Sequence, residues 1–136
     1  MKFSTLCVAV FFLSACGARS SDDEQVRALI VAAEDAAEAR DTSDVLDLLA
    51  SDYSDSQGHD RAQMQNFLRG YFLANPKIEV RANVQDLEFP VDGLGRARVD
   101  IAVLPAGDSV SLQVEFRRES GKDGPWRVSR ADRIRD

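Results

Sequence analysis

The sequence predicts an α+β domain in which three helices precede a curved, four-stranded antiparallel sheet. Apolar residues recur at helical spacing over residues 22–76 and at strand spacing over residues 77–133. The period changes at Asn75-Pro76, and a proline at this place ends a helix. The chain of 136 residues is 44% hydrophobic and 29% charged, a composition that suits one globular domain with a buried core. Helices followed by strands favour helices packed on one face of a sheet.

The first helix is predicted to begin after Ser21 and to continue to about Arg40. Ser21 and Glu24 stand three residues apart, as in a capping box, and Asp22 and Asp23 add negative charge near the positive end of the helix dipole. The apolar stripe of this helix consists of Val26, Leu29, Ile30, Ala33 and Ala37.

Two further helices are predicted before the proline. Asp41 can cap a short second helix, whose apolar residues are Val45, Leu46, Leu48 and Leu49. Residues 52–58 are mostly small and polar and are predicted as a loop. Asp60 and Gln63 can cap the third helix, which Pro76 stops. Its apolar stripe consists of Met64, Phe67, Leu68, Tyr71 and Phe72.

Four strands are predicted after Pro76, because apolar and polar residues alternate there. The first alternating run occupies residues 78–84, and its apolar phase then moves to Leu87 and Phe89, which predicts a β-bulge near Asp86 and a bent strand. Turn residues at 90–95, 105–108 and 121–125 separate this strand from runs at 97–103 and 110–116 and from a last strand that begins at Trp126. Strands joined by such short turns are antiparallel.

The N-terminus has the pattern of an export signal. Lys2 precedes an apolar run at residues 6–13, which is too short to span a bilayer. The following Leu13-Ser14-Ala15-Cys16 resembles the bacterial lipobox, so we expect cleavage after Ala15 and a lipid on Cys16. This interpretation divides the chain into a signal peptide at 1–15, a lipidated cysteine with a short tether at 16–21, and a folded domain at 22–136. The alternative is an ordinary secretory signal with an incidental cysteine.

The predicted location is the periplasmic face of the outer membrane. Gly17, rather than an aspartate, follows the cysteine, and by resemblance to the sorting rules of Gram-negative lipoproteins this favours the outer membrane. The membrane would then be a partner of the protein only through the lipid on Cys16.

Composition and motifs exclude several classes of function. A net charge of −6 and a pI near 4.8 argue against a nucleic-acid partner, which requires a basic surface. Two cysteines and one histidine do not provide a disulfide framework or a histidine-rich metal site. Because the chain has no nucleotide-binding fingerprint, glycine-rich phosphate loop or nucleophile elbow, no metal and no cofactor are predicted.

The order of the elements resembles the nuclear transport factor 2-like superfamily, which includes SnoaL-like and ketosteroid-isomerase-like domains with a cystatin-like cone. The resemblance covers residues 22–133 and depends on two stretches, LLASDYSD at 48–55 and GPWRV at 124–128. It implies a strongly curved sheet wrapped around a helix, with a pocket at the open end of the cone. Isomerases, dehydratases, cyclases and non-catalytic domains all use this fold, so the fold alone does not identify a function.

Ketosteroid isomerase combines an aspartate base with an oxyanion hole of tyrosine and protonated aspartic acid. The resemblance places Asp55 near the position of the base. The tyrosine of the first helix would fall near Ala33, which has no hydrogen-bond donor, and the sheet aspartate would fall within residues 113–115, where no aspartate stands. One of the three groups is therefore present.

Asp55 and His59 are the candidate catalytic residues, and two interpretations of them stay open. A carboxylate beside a histidine and Tyr53 can act as a general base with an orienting partner. Alternatively, Asp55 accepts backbone hydrogen bonds within its loop. The candidate pocket residues are Tyr53, Asp55, Tyr71 and Trp126, and core packing is the alternative that the spacing of Tyr71 and Trp126 favours.

Three functions follow from these observations. The first is a non-catalytic, membrane-anchored domain that binds a small hydrophobic ligand or an envelope protein. The second is a small isomerase or dehydratase that uses Asp55 as its base, and the third is a module that forms a homodimer through its sheet. An open cone with Asp55 inside would favour the first two, whereas a cone filled by Phe67, Phe72 and Trp126 would exclude them.

Overall fold

A computed structural model describes residues 21–121 and 123–135. The predicted signal peptide, Cys16 and Gly17 lie outside the described residues. The helices are α1 (Asp22–Glu38), α2 (Thr42–Asp47) and α3 (Arg61–Ala74). The strands are β1 (Leu49–Asp55), β2 (Glu79–Val91), β3 (Leu94–Leu104), β4 (Asp108–Arg118) and β5 (Trp126–Arg133).

The helix N-termini are capped where the sequence predicts. The Ser21 hydroxyl accepts a hydrogen bond from the backbone N–H of Glu24. Asp60 and Gln63 form a complete capping box at the start of α3, in which each side chain accepts the backbone N–H of the other residue. The end of α1 was predicted two residues too late, because the backbone leaves the helical region and Arg40 adopts a φ of 54°.

Within the described residues, the sheet has five strands in the order β1-β5-β4-β3-β2. Strands β2 to β5 are antiparallel neighbours, as the sequence predicts, but β1 pairs with β5 in parallel. The prediction of a four-stranded antiparallel sheet, with a loop at 52–58, was therefore wrong. In β1 only Ala50 and Tyr53 are buried, and the pairing with β5 is irregular between Leu49 and Ser54. A short, irregular strand of this kind has no alternating pattern to reveal it.

Two bulges bend the sheet. The pairing of β2 with β3 shifts between Gln85 and Glu88, and Asp86 adopts a φ of 54°, which confirms the bulge predicted there. A second shift occurs in β5, where Val128 pairs with Phe116 and Arg130 pairs with Glu115, so that Ser129 is the extra residue. This second bulge changes which residues of β5 face the helices.

The core consists of two clusters along α1. Val26, Leu29 and Ile30 pack on the sheet against residues that include Phe116, which is fully buried, and Trp126. The second cluster joins Phe72 of α3 to the start of β2 and lies toward the C-terminal end of α1. Among residues 21–121 and 123–135, none of the helices has the length and apolar character needed to span a membrane.

The free edge of β2 is covered by glutamates of α1. The backbone N–H of Val80 donates to the Glu38 carboxylate over 2.9 Å, and the backbone N–H of Ala82 donates to Glu34, one helical turn earlier. These contacts satisfy donors that an edge strand otherwise presents to water or to another chain. They also fix α1 across the edge of the sheet.

Candidate functional site

A cavity of about 670 Å³ lies between α1, α3 and the inner face of the sheet. Its wall is mainly apolar: α1 contributes Ile30, Ala33 and Ala37, α3 contributes Phe67, Leu68 and Phe72, and the sheet contributes valine, isoleucine and alanine side chains of β2, β3 and β4. Ligand pockets for small molecules have volumes of roughly 300–1,000 Å³ and walls of this kind. The cavity is therefore the candidate site.

The mouth of the cavity is marked by lining residues that reach solvent. Phe67 is 50% exposed, and Asp108 and Arg133 are exposed as well. The Tyr71 hydroxyl donates to the Asp108 carboxylate over 2.8 Å. Burial, with the hydrogen bond to Asp108 and the charge of Asp108, raises the pKa of Tyr71 above its usual value. The phenol therefore stays protonated at neutral pH and remains a donor.

Glu34 is the ionisable residue that α1 contributes to the cavity wall. Burial raises the pKa of Glu34, and the negative charges of Glu38 and Asp35 act in the same direction. The backbone hydrogen bond from Ala82 opposes this shift. Since this carboxylate already accepts a bond that holds β2, its first role is structural.

Arg133 stands at the end of β5 and is the only basic side chain among the described residues that line the cavity. Its cross-strand partner is Leu112, and two residues earlier Ala131 pairs with the buried Val114. Directly opposed residues share a face of a sheet, so Arg133 is on the inner, helix-covered face. Within the described residues its guanidinium makes no hydrogen bond and no ion pair.

Asp55 lies elsewhere, at the end of β1 where the chain turns toward α3, and its side chain is 5% exposed. Its Oδ1 accepts the backbone N–H groups of Gln57 and His59 at 2.9 and 3.0 Å. Its Oδ2 accepts the Tyr53 hydroxyl at 3.1 Å and lies 3.2 Å from Nδ1 of His59. These oxygens therefore hold the loop, as in the second interpretation of Asp55.

The pKa values in this loop agree with a structural role. Burial tends to raise the pKa of Asp55, but hydrogen bonds from His59, Tyr53 and Gln57, with the charge of His59, hold it below its usual value. Burial and the neighbouring Asp55 carboxylate raise the pKa of Tyr53. A carboxylate with a lowered pKa is a weak proton acceptor at neutral pH, because an effective general base has a pKa near the working pH.

The cavity contains one of the four predicted pocket residues. Tyr71 lines it, whereas Tyr53, Asp55 and Trp126 do not. Trp126 is 3% exposed and packs against Phe89, with ring centroids 5.6 Å apart, under the guanidinium of Arg118. The cone is open, with Phe67 and Phe72 in its wall, so these side chains do not fill it, but Asp55 is not inside it. Ala33, at the predicted position of the isomerase tyrosine, is part of the wall.

The sequence did not reveal Glu34, Asp108 and Arg133 as residues of the site. Glu34 could have been found, since it interrupts an apolar stripe between Ile30 and Ala37. Arg133 was hidden by the bulge at Ser129, which moves the inward phase of β5 from even to odd positions. In the part of the chain that the structure describes, no three histidine, cysteine, aspartate or glutamate side chains are placed to hold a metal ion.

Comparison with known proteins establishes the fold. No protein-family model matches the chain, and no curated protein matches it in sequence. A domain of unknown function with a cystatin-like fold from Nostoc punctiforme superposes with a TM-score of 0.68 at 17% identity, covering 87% of this chain and 79% of that one. ActVI-ORFA from Streptomyces coelicolor has a TM-score of 0.61 at 15% identity and covers 82% and 92%. LinA has a TM-score of 0.61 at 13% identity and covers 81% and 82%.

These similar structures are cone folds of the nuclear transport factor 2-like, cystatin-like type. The chain therefore has this fold, as its sequence predicts. Sequence identities below 20% carry no functional assignment, since unrelated functions occur on one fold.

Proposed function

We propose that this protein is a bacterial lipoprotein, anchored through Cys16, whose cone domain binds a small hydrophobic ligand without chemical conversion. One observation carries the ligand-binding part of the proposal: a cavity of about 670 Å³ with a mainly apolar wall and a mouth that carries the Tyr71–Asp108 pair. The lipid anchor rests on the lipobox-like Leu13-Ser14-Ala15-Cys16. A few polar groups at the opening of an apolar pocket are typical of sites that orient a ligand.

The surroundings of the carboxylates favour binding over catalysis. Asp55, the residue proposed as a base, is nearly buried and accepts hydrogen bonds within its own loop, outside the cavity wall. Glu34 and Asp108, the acidic residues of the cavity wall, already accept hydrogen bonds from Ala82 and Tyr71. At Asp55 both carboxylate oxygens already accept hydrogen bonds, so proton abstraction by this group would compete with the contacts that hold its loop.

The cavity is tested with N-phenyl-1-naphthylamine, an uncharged dye whose fluorescence rises in apolar surroundings. We expect the full-length protein to bind it with saturation. The variant Ala33→Phe places a ring in the cavity wall and should abolish binding, whereas Ala32→Phe, the exposed neighbour on α1, should leave it unchanged. Equal binding by both variants, or none by the native protein, would contradict the proposal.

Native mass spectrometry of the protein purified from its own host separates the alternatives. A small molecule that is retained by the native protein and lost from Ala33→Phe supports ligand binding. A second copy of the chain with an empty cavity would support the homodimer, and a stable envelope protein in the complex would support a protein partner.

A further inference from the structure

The cation at the mouth of the cavity, Arg133, has unmet hydrogen-bonding capacity within the described residues. Arginine presents five N–H donors in a planar fork, which matches the two oxygens of a carboxylate. The guanidinium of Arg133 has no partner among the described residues, although it lies at the mouth of the cavity. By contrast, Arg118, Arg117 and Arg130 are paired with Asp22, Asp52 and Asp132, respectively.

The two carboxylates of the wall do not compete for this cation. Asp108 accepts the Tyr71 hydroxyl, and Glu34 accepts the backbone N–H of Ala82, where burial also disfavours its ionised form. Neither forms an ion pair with Arg133. An arriving anion would therefore find a cation whose donors are free.

We propose that the ligand of the cavity is an amphiphile, with an apolar body that fills the space between α1 and the sheet and a carboxylate that pairs with Arg133. This inference rests on the proposed function, because it specifies the chemistry of the same site. The fork geometry of arginine allows two parallel hydrogen bonds to such a head group.

Arg133 also borders a groove of about 590 Å³ on the other side of the sheet. The side chains along that groove form their own network: Asp100 accepts from Ser111, Gln85 and Arg98. The groove therefore offers polar contacts that are already satisfied, whereas the cavity offers an apolar wall. An amphiphile with an apolar body fits the cavity.

The test compares cis-parinaric acid with its methyl ester, which has the same chain and no charge. We expect the native protein to bind the acid about tenfold more tightly than the ester, corresponding to about 1.4 kcal/mol. Arg133→Gln should weaken acid binding about tenfold, so that the acid and the ester bind alike. Arg135→Gln, an exposed arginine two residues further on, is the matched control and should keep the preference.

The outcomes separate the two proposals. If the uncharged dye, the acid and the ester all fail to bind, the proposed function fails. If the dye binds but acid and ester bind equally, or Arg133→Gln behaves like Arg135→Gln, the head-group assignment is overturned and the cavity function stands. Acid binding that persists in Ala33→Phe would assign Arg133 to the outer groove and overturn the inference. Tighter binding of the cationic oleylamine than of the acid would also overturn it.

Discussion

At the scale of single residues, Asp55 shows how a residue of catalytic type serves the fold. Its carboxylate accepts two backbone N–H groups and the Tyr53 hydroxyl, and it lies beside His59. Together these contacts close the turn that leads from β1 into α3. The isomerase resemblance predicted this residue as a base, but the bonds that lower its pKa also make it a poor one.

We expect Asp55→Ala to lower the free energy of unfolding by about 2–4 kcal/mol, because several hydrogen bonds are lost and the buried Tyr53 hydroxyl loses its acceptor. Urea denaturation measures this change. Asp52→Ala is the control, since it removes only an exposed ion pair with Arg117 and should cost less than about 1 kcal/mol. An unchanged stability together with loss of dye binding would show that Asp55 serves the site instead.

The lowered pKa of Asp55 also predicts a pH dependence. A carboxyl group whose pKa is lower in the folded state contributes stability that is fully present above its unfolded pKa, which is near 3.8. This contribution disappears as the pH falls through the lower pKa of the folded state. The stability difference between the native protein and Asp55→Ala should therefore shrink below about pH 3.8 in urea titrations. A difference that grows on acidification would contradict the assignment.

At the scale of secondary structure, local signals predicted the elements that depend on local chemistry. The cap at Ser21, the capping box at Asp60 and the bulge at Asp86 are formed by neighbouring residues, so the sequence contains all their components. Strand β1 escaped prediction because its stability comes from β5, more than seventy residues away in the chain, and from two buried side chains, Ala50 and Tyr53. The inward-facing position of Arg133 was not predicted for a similar reason, because the bulge at Ser129 is defined by the pairing of β5 with β4.

The bulge in β2 provides a test of backbone strain. Asp86 is exposed and adopts a φ of 54°, where a side chain costs roughly 1–2 kcal/mol and glycine costs nothing sterically. We expect Asp86→Gly to stabilise the protein by about 0.5–1 kcal/mol after the entropy of the unfolded glycine is subtracted. Asn83→Gly, on the regular part of the same strand, should destabilise by a similar amount. If urea denaturation shows that both changes destabilise the protein equally, then the positive φ of Asp86 does not strain the native backbone.

The glutamates of α1 provide a second test at this scale. Glu38→Ala removes the acceptor of the Val80 N–H and should lower stability by about 1 kcal/mol. Glu38→Gln keeps an acceptor oxygen and should restore most of the loss, and Asp35→Ala, an exposed neighbour on α1, should change little. Hydrogen exchange of the Val80 amide reports the bond directly. If the Val80 amide is equally protected from hydrogen exchange in Glu38→Ala, then α1 does not cover this edge.

At the scale of the whole molecule, the two ends of α1 separate the proposed anchor from the cavity. The N-terminal residue Asp22 pairs with Arg118 near the end of β4, whereas Glu38 contacts Val80 near the start of β2. The cavity lies beside the C-terminal half of the helix, and its mouth is near Asp108. A helix of 17 residues is about 25 Å long, so the mouth would open well away from a membrane that holds Cys16.

Lipid anchoring and ligand binding should therefore be separable. Because the proposed cleavage before Cys16 would leave five residues, 17–21, ahead of α1, lipidation should hold the domain close to the outer membrane while the cavity opens toward the periplasm. Two acyl signals already give stable anchoring, and a lipoprotein cysteine with three chains exceeds this.

Cys16→Ser should therefore abolish the added acyl mass in intact mass spectrometry and release the protein from the membrane fraction. Its affinity for the uncharged dye should stay unchanged, since among residues 21–121 and 123–135 none that lines the cavity lies before Ile30. A native N-terminus without acyl mass would overturn the lipoprotein proposal, and lipidated protein in the inner membrane would overturn only the sorting inferred from Gly17. Loss of dye binding in Cys16→Ser would contradict the separation of anchor and site along α1.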